Sequence, residues 1–271
     1  MARNREETAH LEARIEDHLS RTARGEISVS RFLTPGERRH AERYLAARGA
    51  RERALFWGGY VGAERECLFL LPEFYLDMPD WIPEEGTDPA HTLPDGEGEA
   101  VLALRITGSG FRTLSHRDYL GSLLGLGLER DSFGDIALQN DCEAVVFCTK
   151  EIARFLTESL CKVASDTVKC RPYRLDDSFT DGRKYRPISD TVASPRLDCV
   201  VAALTNLSRD DAQSAVRSGL VEVDFECEER TDRILTPPAT VSVRGHGRFI
   251  LRSFDGETRK GRLRLRADQR V

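Results

Sequence analysis

Three neighbouring stretches decide the fold of the C-terminal third of the chain: Arg196-Leu-Asp-Cys-Val-Val-Ala-Ala-Leu204, Ser208-Arg-Asp-Asp-Ala-Gln-Ser-Ala-Val-Arg-Ser-Gly219 and Val241-Ser-Val-Arg-Gly-His-Gly-Arg-Phe249. Apolar residues in the first stretch recur at helical spacing, which predicts a short helix with one buried face. In the second stretch Ser208 is a good N-cap and Gly219 stands where a helix needs a left-handed cap. The sequence therefore predicts two consecutive short helices.

Strands are predicted to follow these helices. Leu220-Val-Glu-Val223 alternates as a strand does, and the third stretch begins as a second strand. Gly245 and Gly247 flank His246, so the backbone can turn there or approach a ligand closely. Arginines recur through the whole region, and the guanidinium group suits bidentate contacts to phosphate. This combination indicates a small module that presents arginines to an RNA backbone.

The region resembles the S-four-type RNA-binding domain, named for ribosomal protein S four. The similarity covers roughly residues 194–256 and rests on Arg-Leu-Asp, Ser-Arg-x-x-Ala, Gly-x-Val-x-Val and Val-Arg-Gly-x-Gly-Arg-Phe. The resemblance implies that six side chains face RNA: Arg196, Arg209, Gln213, Arg217, Arg244 and Arg248. We add four further candidate RNA contacts: Ser208, Gly245, Gly247 and Lys260. Such a basic patch should bind RNA in a salt-dependent way.

Acidic residues interrupt this pattern. Asp210 and Asp211 lie in the second predicted helix, and Asp224 stands where the family usually has Asn. The loop over residues 222–232 is rich in Glu and Asp, so we expect it to turn away from RNA. These acids favour a composite target, shared between RNA and a larger particle, over tight binding by the module alone.

Charge is distributed unevenly along the 271 residues. The composition, with 40% hydrophobic and 31% charged residues, is typical of a globular protein, and the net charge of -5 argues against a protein that coats nucleic acid generally. Residues 244–271 nevertheless hold nine Lys and Arg against three Asp and Glu. A local basic face on an acidic chain indicates binding at a defined site.

Cysteine and hydropathy patterns narrow the class further. The seven cysteines form no C-x-x-C pair and several lie in apolar runs, which favours buried free thiols in a reducing cytosol and no zinc site. No apolar run approaches the roughly 18 residues of a membrane span, and no secretory signal is visible. We therefore expect a cytoplasmic protein with no membrane partner, no cofactor, no metal and no small-molecule substrate.

The N-terminal region is predicted to combine helices with a β-hairpin. Residues 5–24 have an apolar helical face, and a second helix should start after the N-cap Thr34 and run to about Arg48. Residues 55–60 and 67–71 are predicted strands around a Gly-Ala-Glu-Arg turn.

The middle region follows a β-α-β-β-α-β order. Its strands are predicted near 101–106, 135–138, 144–147 and 167–170, with helices after Ser115 and from Lys150. This is the ferredoxin-like pattern, which RNA-recognition domains also use. Those domains stack bases on an aromatic pair, which is missing from the predicted strands. The sequence therefore favours a middle domain that binds nothing directly.

The predicted fold class is α+β, and the predicted divisions of the chain are 1–76, an N-terminal α+β region; 77–99, a linker or loop; 100–173, the ferredoxin-like domain; 174–193, a connector; and 194–271, the S-four-type RNA-binding domain with a basic C-terminal strand. For residues 257–271 a disordered basic tail is the alternative to a strand.

Two motifs are similar to catalytic sequences but lack the residues that catalysis needs. Ser115-His-Arg-Asp118 is similar to the kinase catalytic loop, but Leu123 stands where that loop needs Asn. Arg196-Leu-Asp198 is similar to the catalytic triplet of pseudouridine synthases, but Cys-Val-Val follows it on a predicted helix. We expect Asp198 to cap that helix or to pair with a nearby arginine. No catalytic residues and no enzyme activity are predicted.

Nearly the whole chain resembles the YlmH-like family of bacterial proteins. The matching segments are Phe32-Leu-Thr-Pro-Gly-Glu37, Phe56-Trp-Gly-Gly-Tyr60 with Ala63-Glu-Arg65, Leu114-Ser-His-Arg-Asp-Tyr-Leu-Gly-Ser-Leu-Leu-Gly-Leu-Gly-Leu-Glu-Arg130, Phe133-Gly-Asp-Ile136 and Arg196-Leu-Asp198. The resemblance implies a cytoplasmic, non-enzymatic protein that binds rRNA and tRNA on the large ribosomal subunit with peptidyl-tRNA, in rescue of stalled translation. The alternatives are an RNA-modifying enzyme similar to pseudouridine synthases and a cell-division-linked adaptor protein.

Overall fold

The computed structural model describes residues 2–77, 88–93 and 100–271. The chain divides into two compact units, Met1–Gly182 and Arg183–Val271, which we call the N-terminal unit and the C-terminal unit. Both combine helices with antiparallel sheets, which confirms the α+β class.

The N-terminal unit begins with a small three-stranded sheet and two helices. In chain order the elements are α1 (Ala2–Thr22), β1 (Ser28–Leu33), α2 (Pro35–Ala47), β2 (Ala54–Trp57) and β3 (Glu66–Leu70). The strand order is β1-β3-β2, and all neighbours are antiparallel. Ile15 of α1 and Leu45 of α2 are buried against Leu68 and Leu70 of β3. The two helices therefore cover one face of this sheet.

Helix α2 begins as the sequence predicts. The Thr34 hydroxyl accepts a hydrogen bond from the Glu37 amide, and the Glu37 carboxylate accepts one from the Thr34 amide. This reciprocal capping box pairs two amides that a helix end would otherwise leave unpaired. Strand β1 was not predicted, because Ser28 and Ser30 replace the apolar alternation that marks a strand. Both serines are buried, and the Ser30 hydroxyl accepts from the Leu68 amide.

The predicted linker, residues 77–99, lies mostly outside the described residues. Its described part, 88–93, contains the four-residue helix α3 (Pro89–Thr92), whose N-cap Asp88 accepts a hydrogen bond from the Ala90 amide.

The rest of the N-terminal unit follows the predicted β-α-β-β-α-β order, with one extra hairpin. The elements are β4 (Val101–Thr107), α4 (His116–Gly125), β5 (Phe133–Asn140), β6 (Glu143–Thr149), α5 (Lys150–Ser159), β7 (Lys162–Val163), β8 (Asp166–Thr167) and β9 (Lys169–Tyr173). The main sheet has the order β5-β6-β4-β9 and is antiparallel throughout; we call it the middle sheet. Tyr119 of α4 and Leu156 of α5 are buried against Leu104 and Ile106 of β4.

The opposite face of the middle sheet is covered by the small N-terminal sheet. Val145 and Phe147 of β6 are fully buried in a cluster with Phe32, Trp57 and other apolar residues of the first three strands. A Cβ at Gly59 would lie 2.2 Å from the Phe147 ring, so a glycine is required for this approach. The face that RNA-recognition domains use for base stacking is therefore occupied by the protein itself.

The C-terminal unit places two helices on one face of a six-stranded antiparallel sheet. Its elements are β10 (Tyr185–Val192), α6 (Leu197–Thr205), α7 (Arg209–Arg217), β11 (Val221–Val223), β12 (Glu226–Cys227), β13 (Ala239–Val243), β14 (Gly247–Glu257) and β15 (Leu263–Arg270). The strand order is β10-β15-β14-β13-β11-β12. Val200 of α6 and Val216 of α7 are buried against Val241, Phe249 and Leu265 of the sheet.

The structure differs from the predicted divisions at the connector. Residues 174–182 belong to the N-terminal unit, whereas β10 pairs with β15 along its whole length and is part of the C-terminal sheet. Strand β10 lies at the sheet edge and is mostly exposed, so its sequence lacks the apolar alternation of a buried strand. Within residues 257–271, Leu263–Arg270 form β15 in place of a disordered tail, whereas Glu257 ends β14 and residues 258–262 form the turn between the two strands.

The cysteines agree with the prediction of free thiols, and the helices of the described residues bear on the question of a membrane span. All seven cysteines are free thiols, and burial raises the pKa of the Cys170 thiol to about 11. Across residues 2–77, 88–93 and 100–271, no helix has the length and apolar character that crossing a bilayer requires.

Candidate nucleic-acid interface

Helix α7 is held by local capping. The Ser208 hydroxyl accepts a hydrogen bond from the Asp211 amide at 3.1 Å and donates to the Asp211 carboxylate at 2.7 Å. Asp210 and Asp211 occupy the first turn of α7, where negative charge stabilises the helix dipole. Gly219, at φ 67°, lies just beyond the end of this helix. These acids therefore have a structural reason, and the Ser208 hydroxyl is engaged by the helix it begins.

The centre of the candidate interface is the carboxylate of Asp198, which has no exposed surface. Arg196 donates to both of its oxygens, from Nε to Oδ1 at 3.1 Å and from Nη2 to Oδ2 at 3.2 Å. The Gln213 amide donates to Oδ2 at 2.9 Å, and Arg209 Nη2 lies 3.4 Å from the same atom. The backbone amide of Cys199 donates to Oδ1 at 2.9 Å. The predicted pairing of Asp198 with a nearby arginine is confirmed.

These contacts fix the charge of Asp198. Burial alone raises the pKa of a carboxyl group, but the hydrogen bonds from Arg196, Gln213 and Cys199 outweigh burial and lower the pKa of Asp198 to about 2. The carboxylate is therefore ionised at neutral pH, and it orients the side chains that surround it.

The three side chains on α7 form a row, which we call the arginine row: Arg209, Gln213 and Arg217, spaced by four residues on one helix face. The side chain of Arg209 is 54% exposed although it contacts the buried carboxylate. Arg217 is exposed, and its Nη2 lies 3.5 Å from the side-chain amide oxygen, Oε1, of Gln213. Arg209 therefore contacts a buried carboxylate while much of its side chain remains exposed to solvent, and Arg217 is exposed as well.

The β13–β14 hairpin continues the basic surface beyond α7. The Arg244 amide donates to the Leu220 carbonyl, three residues after Arg217 in the chain, at 2.9 Å. Gly245 and Gly247 both have positive φ angles, 84° and 107°, as the tight turn requires. Four predicted contacts, Arg244, Gly245, Gly247 and Arg248, therefore share one hairpin.

Arg248 is positioned by an aromatic ring that the sequence did not identify. Its guanidinium carbon lies 5.0 Å from the centre of the Phe225 ring, within the range of a cation–π contact. Phe225 and Asp224 have φ angles of 68° and 51° in the turn between β11 and β12. Asp and Asn tolerate this left-handed region better than most residues. The Asp224 carboxylate also accepts from the Thr240 amide at 2.8 Å, a contact that the amide oxygen of Asn could also make.

The acidic loop over residues 222–232 contacts the start of α6, next to Asp198. Glu228 is buried, and its carboxylate accepts from Arg230 and from Arg233, the latter at 2.8 Å. These contacts, led by Arg230, outweigh burial and lower the pKa of Glu228 to about 2. The loop then pairs with the start of α6, because the Leu197 amide donates to the Arg233 carbonyl at 2.8 Å. Its acids are partly structural, and they help to hold Asp198 in place.

Lys260 lies apart from the predicted contacts of the β13–β14 hairpin. It is exposed in the turn between β14 and β15, at the far end of β14 from the Gly247 turn, roughly 30 Å away at about 3.3 Å per residue. Near that end Arg262 and Arg209 line an open cavity of about 220 Å³ with Val192, Cys199, Ala202 and Ala203. Sequence reasoning missed Arg262, whose alternation with apolar residues in the tail was the available signal.

Three comparisons with known proteins bear on this chain. A family model described as "Putative RNA-binding domain in YlmH" matches residues 101–177. "Ribosome-associated protein quality control protein P2" of Bacillus subtilis (strain 168) is 31% identical over 210 residues, which covers 78% of this chain and 75% of that protein. The solved structure "Cell division protein ylmH from Streptococcus pneumoniae" is 16% identical with a TM-score of 0.45, covering 62% of this chain and 88% of that chain.

The likeness to the solved structure has a TM-score too low to carry an argument. The family model differs from the expectation that the middle domain binds nothing directly, because its description assigns RNA binding to that region. The similarity to the Bacillus subtilis protein extends over three quarters of that protein and beyond the region that the family model matches. The segments quoted above and this match agree: the chain belongs to the YlmH-like family.

Proposed function

We propose that this chain is a non-enzymatic RNA-binding protein that works on the ribosome, with the C-terminal unit as its main RNA-binding surface. The observation that carries the proposal is the buried Asp198, which orients Arg196, Arg209 and Gln213 at the protein surface. Arginines held in this way lose less side-chain freedom when they bind phosphate. The S-four-type assignment of this unit is part of the proposal.

The proposed setting is the large ribosomal subunit that holds peptidyl-tRNA after translation has stalled, in the cytoplasm. The name of the Bacillus subtilis relative, a ribosome-associated quality control protein, supports this setting. The separation of Lys260 from the Arg244 hairpin also supports it, because RNA must be extended or composite to contact both ends of β14. Ribosomal RNA and tRNA are therefore the proposed partners.

An RNA-modifying activity similar to pseudouridine synthases finds no support at Asp198. Both carboxylate oxygens accept hydrogen bonds within the protein, and no part of the residue is exposed. A catalytic carboxylate must reach the reacting base, and this one is enclosed. The geometry instead supports a positioning role for Asp198.

The test is co-sedimentation of the full chain with purified large ribosomal subunits across a salt series. The variant Arg209→Ala, Arg217→Ala, Arg248→Ala should bind several-fold more weakly at about 100 mM salt. Its plot of log affinity against log salt should be flatter by about 2–3 units, because each phosphate contact contributes roughly 0.7–0.9.

A matched control removes three exposed arginines from the N-terminal unit: Arg24→Ala, Arg154→Ala, Arg174→Ala. The control variant carries the same change in net charge and should keep most of the wild-type slope. Equal slopes for wild-type protein and the Arg209, Arg217, Arg248 variant would contradict the proposal.

A further inference from the structure

The loop between β4 and α4 carries the most exposed large hydrophobic residue among the described residues. The side chain of Phe111 is 91% exposed, and no other large apolar residue in the described ranges exceeds 77%. Phe111 lies in neither the middle sheet nor the arginine row, so the functions discussed above do not involve it. A single exposed apolar side chain is common on protein surfaces, so a contact surface is indicated only by the loop that holds Phe111 together with the charged residues that follow it.

The structure fixes this loop in place. The Ser109 amide and hydroxyl both donate to the Asp166 carboxylate, at 2.9 and 2.5 Å. The amides of Gly108 and Leu114 donate to the carbonyls of the β5–β6 turn, at 2.8 and 2.6 Å. Gly110, at φ 85°, makes the turn that leads into Phe111. The ring is therefore presented by a braced loop.

Two exposed arginines, Arg112 and Arg117, follow Phe111 in the chain. Arg112 donates from Nη1 to the Ser165 hydroxyl at 2.5 Å, which leaves its remaining donors toward solvent. Arg117 is exposed on the first turn of α4. The neighbouring Asp118 caps the helix, and its carboxylate accepts from the Ser115 amide at 2.8 Å.

This geometry also accounts for the His-Arg-Asp segment, which has no catalytic explanation. Its aspartate, Asp118, is a helix cap, and its arginine, Arg117, points away from the core. Single-stranded RNA is recognised by an aromatic ring that stacks on a base while cations bind the adjacent phosphates. The neighbours of Phe111 in sequence are Ser109, Gly110, Arg112 and Thr113, so no contiguous apolar run of the chain extends from the ring.

We infer that residues 109–117 form a second RNA-binding surface, in which Phe111 stacks on an unpaired base and Arg112 and Arg117 bind the flanking phosphates. The inference rests on the RNA-binding function proposed above and places part of it in the N-terminal unit. It also reconciles two facts about the middle domain. A family model of an RNA-binding domain matches residues 101–177, yet both faces of the middle sheet are covered.

The test measures binding of the full chain to fluorescein-labelled deacylated tRNA by anisotropy, and to purified large ribosomal subunits by co-sedimentation. Phe111→Ala and Phe111→Leu should each weaken binding by roughly 5- to 150-fold, because stacking on one base is worth about that factor. Phe111→Trp should bind within about threefold of wild type, since indole also stacks on a base. A variant with Arg112→Ala and Arg117→Ala should flatten the salt slope by about 2 units.

Phe74→Ala is the matched control, because Phe74 is a half-exposed phenylalanine in the same unit, and it should bind like wild type. Full affinity in Phe111→Leu together with loss in Phe111→Ala would indicate an apolar protein contact and overturn the inference. Wild-type affinity in all Phe111 variants would also overturn it, and the proposed function would stand if the Arg209, Arg217, Arg248 variant still binds weakly. Wild-type protein that binds neither probe contradicts both proposals.

Discussion

The two units use their sheets in opposite ways. The middle sheet of the N-terminal unit is covered on both faces, by α4 and α5 on one side and by the N-terminal sheet on the other. The C-terminal sheet is covered by α6 and α7 on one face only, and its helices carry exposed arginines. A fold that resembles an RNA-recognition domain therefore leaves only its loops for binding, whereas the smaller unit offers a helix and a hairpin.

The largest expected effect on stability comes from truncating a side chain that is buried between the middle sheet and the small N-terminal sheet. Phe147→Ala should lower the free energy of unfolding of the N-terminal unit by about 3–5 kcal/mol, because a fully buried ring leaves a cavity. Trp57 is buried in the same cluster as Phe147 and residues 183–271 contain no tryptophan, so tryptophan fluorescence during urea unfolding reports on the N-terminal unit. Binding to large ribosomal subunits in native buffer should change less than twofold. An unchanged urea midpoint would contradict the burial of Phe147 between the two sheets.

Removing the charge at the centre of the C-terminal interface should cost nearly as much. Asp198→Asn leaves the Arg196 guanidinium without its buried partner, and we expect a loss of about 3 kcal/mol in that unit. Amide hydrogen exchange over residues 183–271 measures it. Asp210→Asn, in the exposed first turn of α7, is the control and should change stability by less than about 0.5 kcal/mol. Exchange rates that match in the two variants would refute the anchoring role of Asp198.

Acid should destabilise the C-terminal unit through two carboxyl groups, without any mutation. Asp198 and Glu228 have folded-state pKa values of about 2, below the ordinary 3.8 and 4.5. Each therefore contributes stability, roughly 2–3.5 kcal/mol, that is present above about pH 4.5 and is lost as the pH falls toward 2. Hydrogen exchange in the C-terminal unit should accelerate across that range. In Asp198→Asn the acceleration should be smaller, and an equal acceleration would contradict the assigned pKa.

The smallest effect concerns the turn before β12. Asp224→Asn should change stability by less than about 0.5 kcal/mol, because Asn tolerates the same left-handed backbone and its amide oxygen can accept from Thr240. Asp224→Ala should cost about 1–2 kcal/mol, since the acceptor is lost. Thermal unfolding followed by circular dichroism compares the two. Equal losses would show that the hydrogen bond to Thr240 contributes nothing.

Local sequence signals predicted the elements that local chemistry determines. Thr34, Ser208 and Gly219 begin or end helices in the structure as they do in the sequence, because capping depends on neighbouring residues alone. Strands β1 and β10 were missed or shortened, because their pairing partners are distant in the chain and their exposed or serine-containing faces hide the alternation.

The site could be predicted only in part. The resemblance indicated the arginines, and the sequence predicted that Asp198 pairs with one of them. It could not show that Gln213 and Arg209, on another helix, converge on the same carboxylate. It also could not show that Phe225 lies beneath Arg248, since these residues meet only when β11 and β14 flank β13 in the sheet.

The most direct test of the central claim is ultraviolet crosslinking of the full chain to large ribosomal subunits, with mass spectrometry of the nucleotide-bearing peptides. Besides adducts at the inferred 109–117 surface, the account predicts adducts in peptides covering residues 196–217 and 244–248, and it predicts that those of the C-terminal unit diminish in the Arg209, Arg217, Arg248 variant. Adducts confined to helices α1 and α2, with none in the C-terminal unit, would contradict the claim that the arginine row binds RNA.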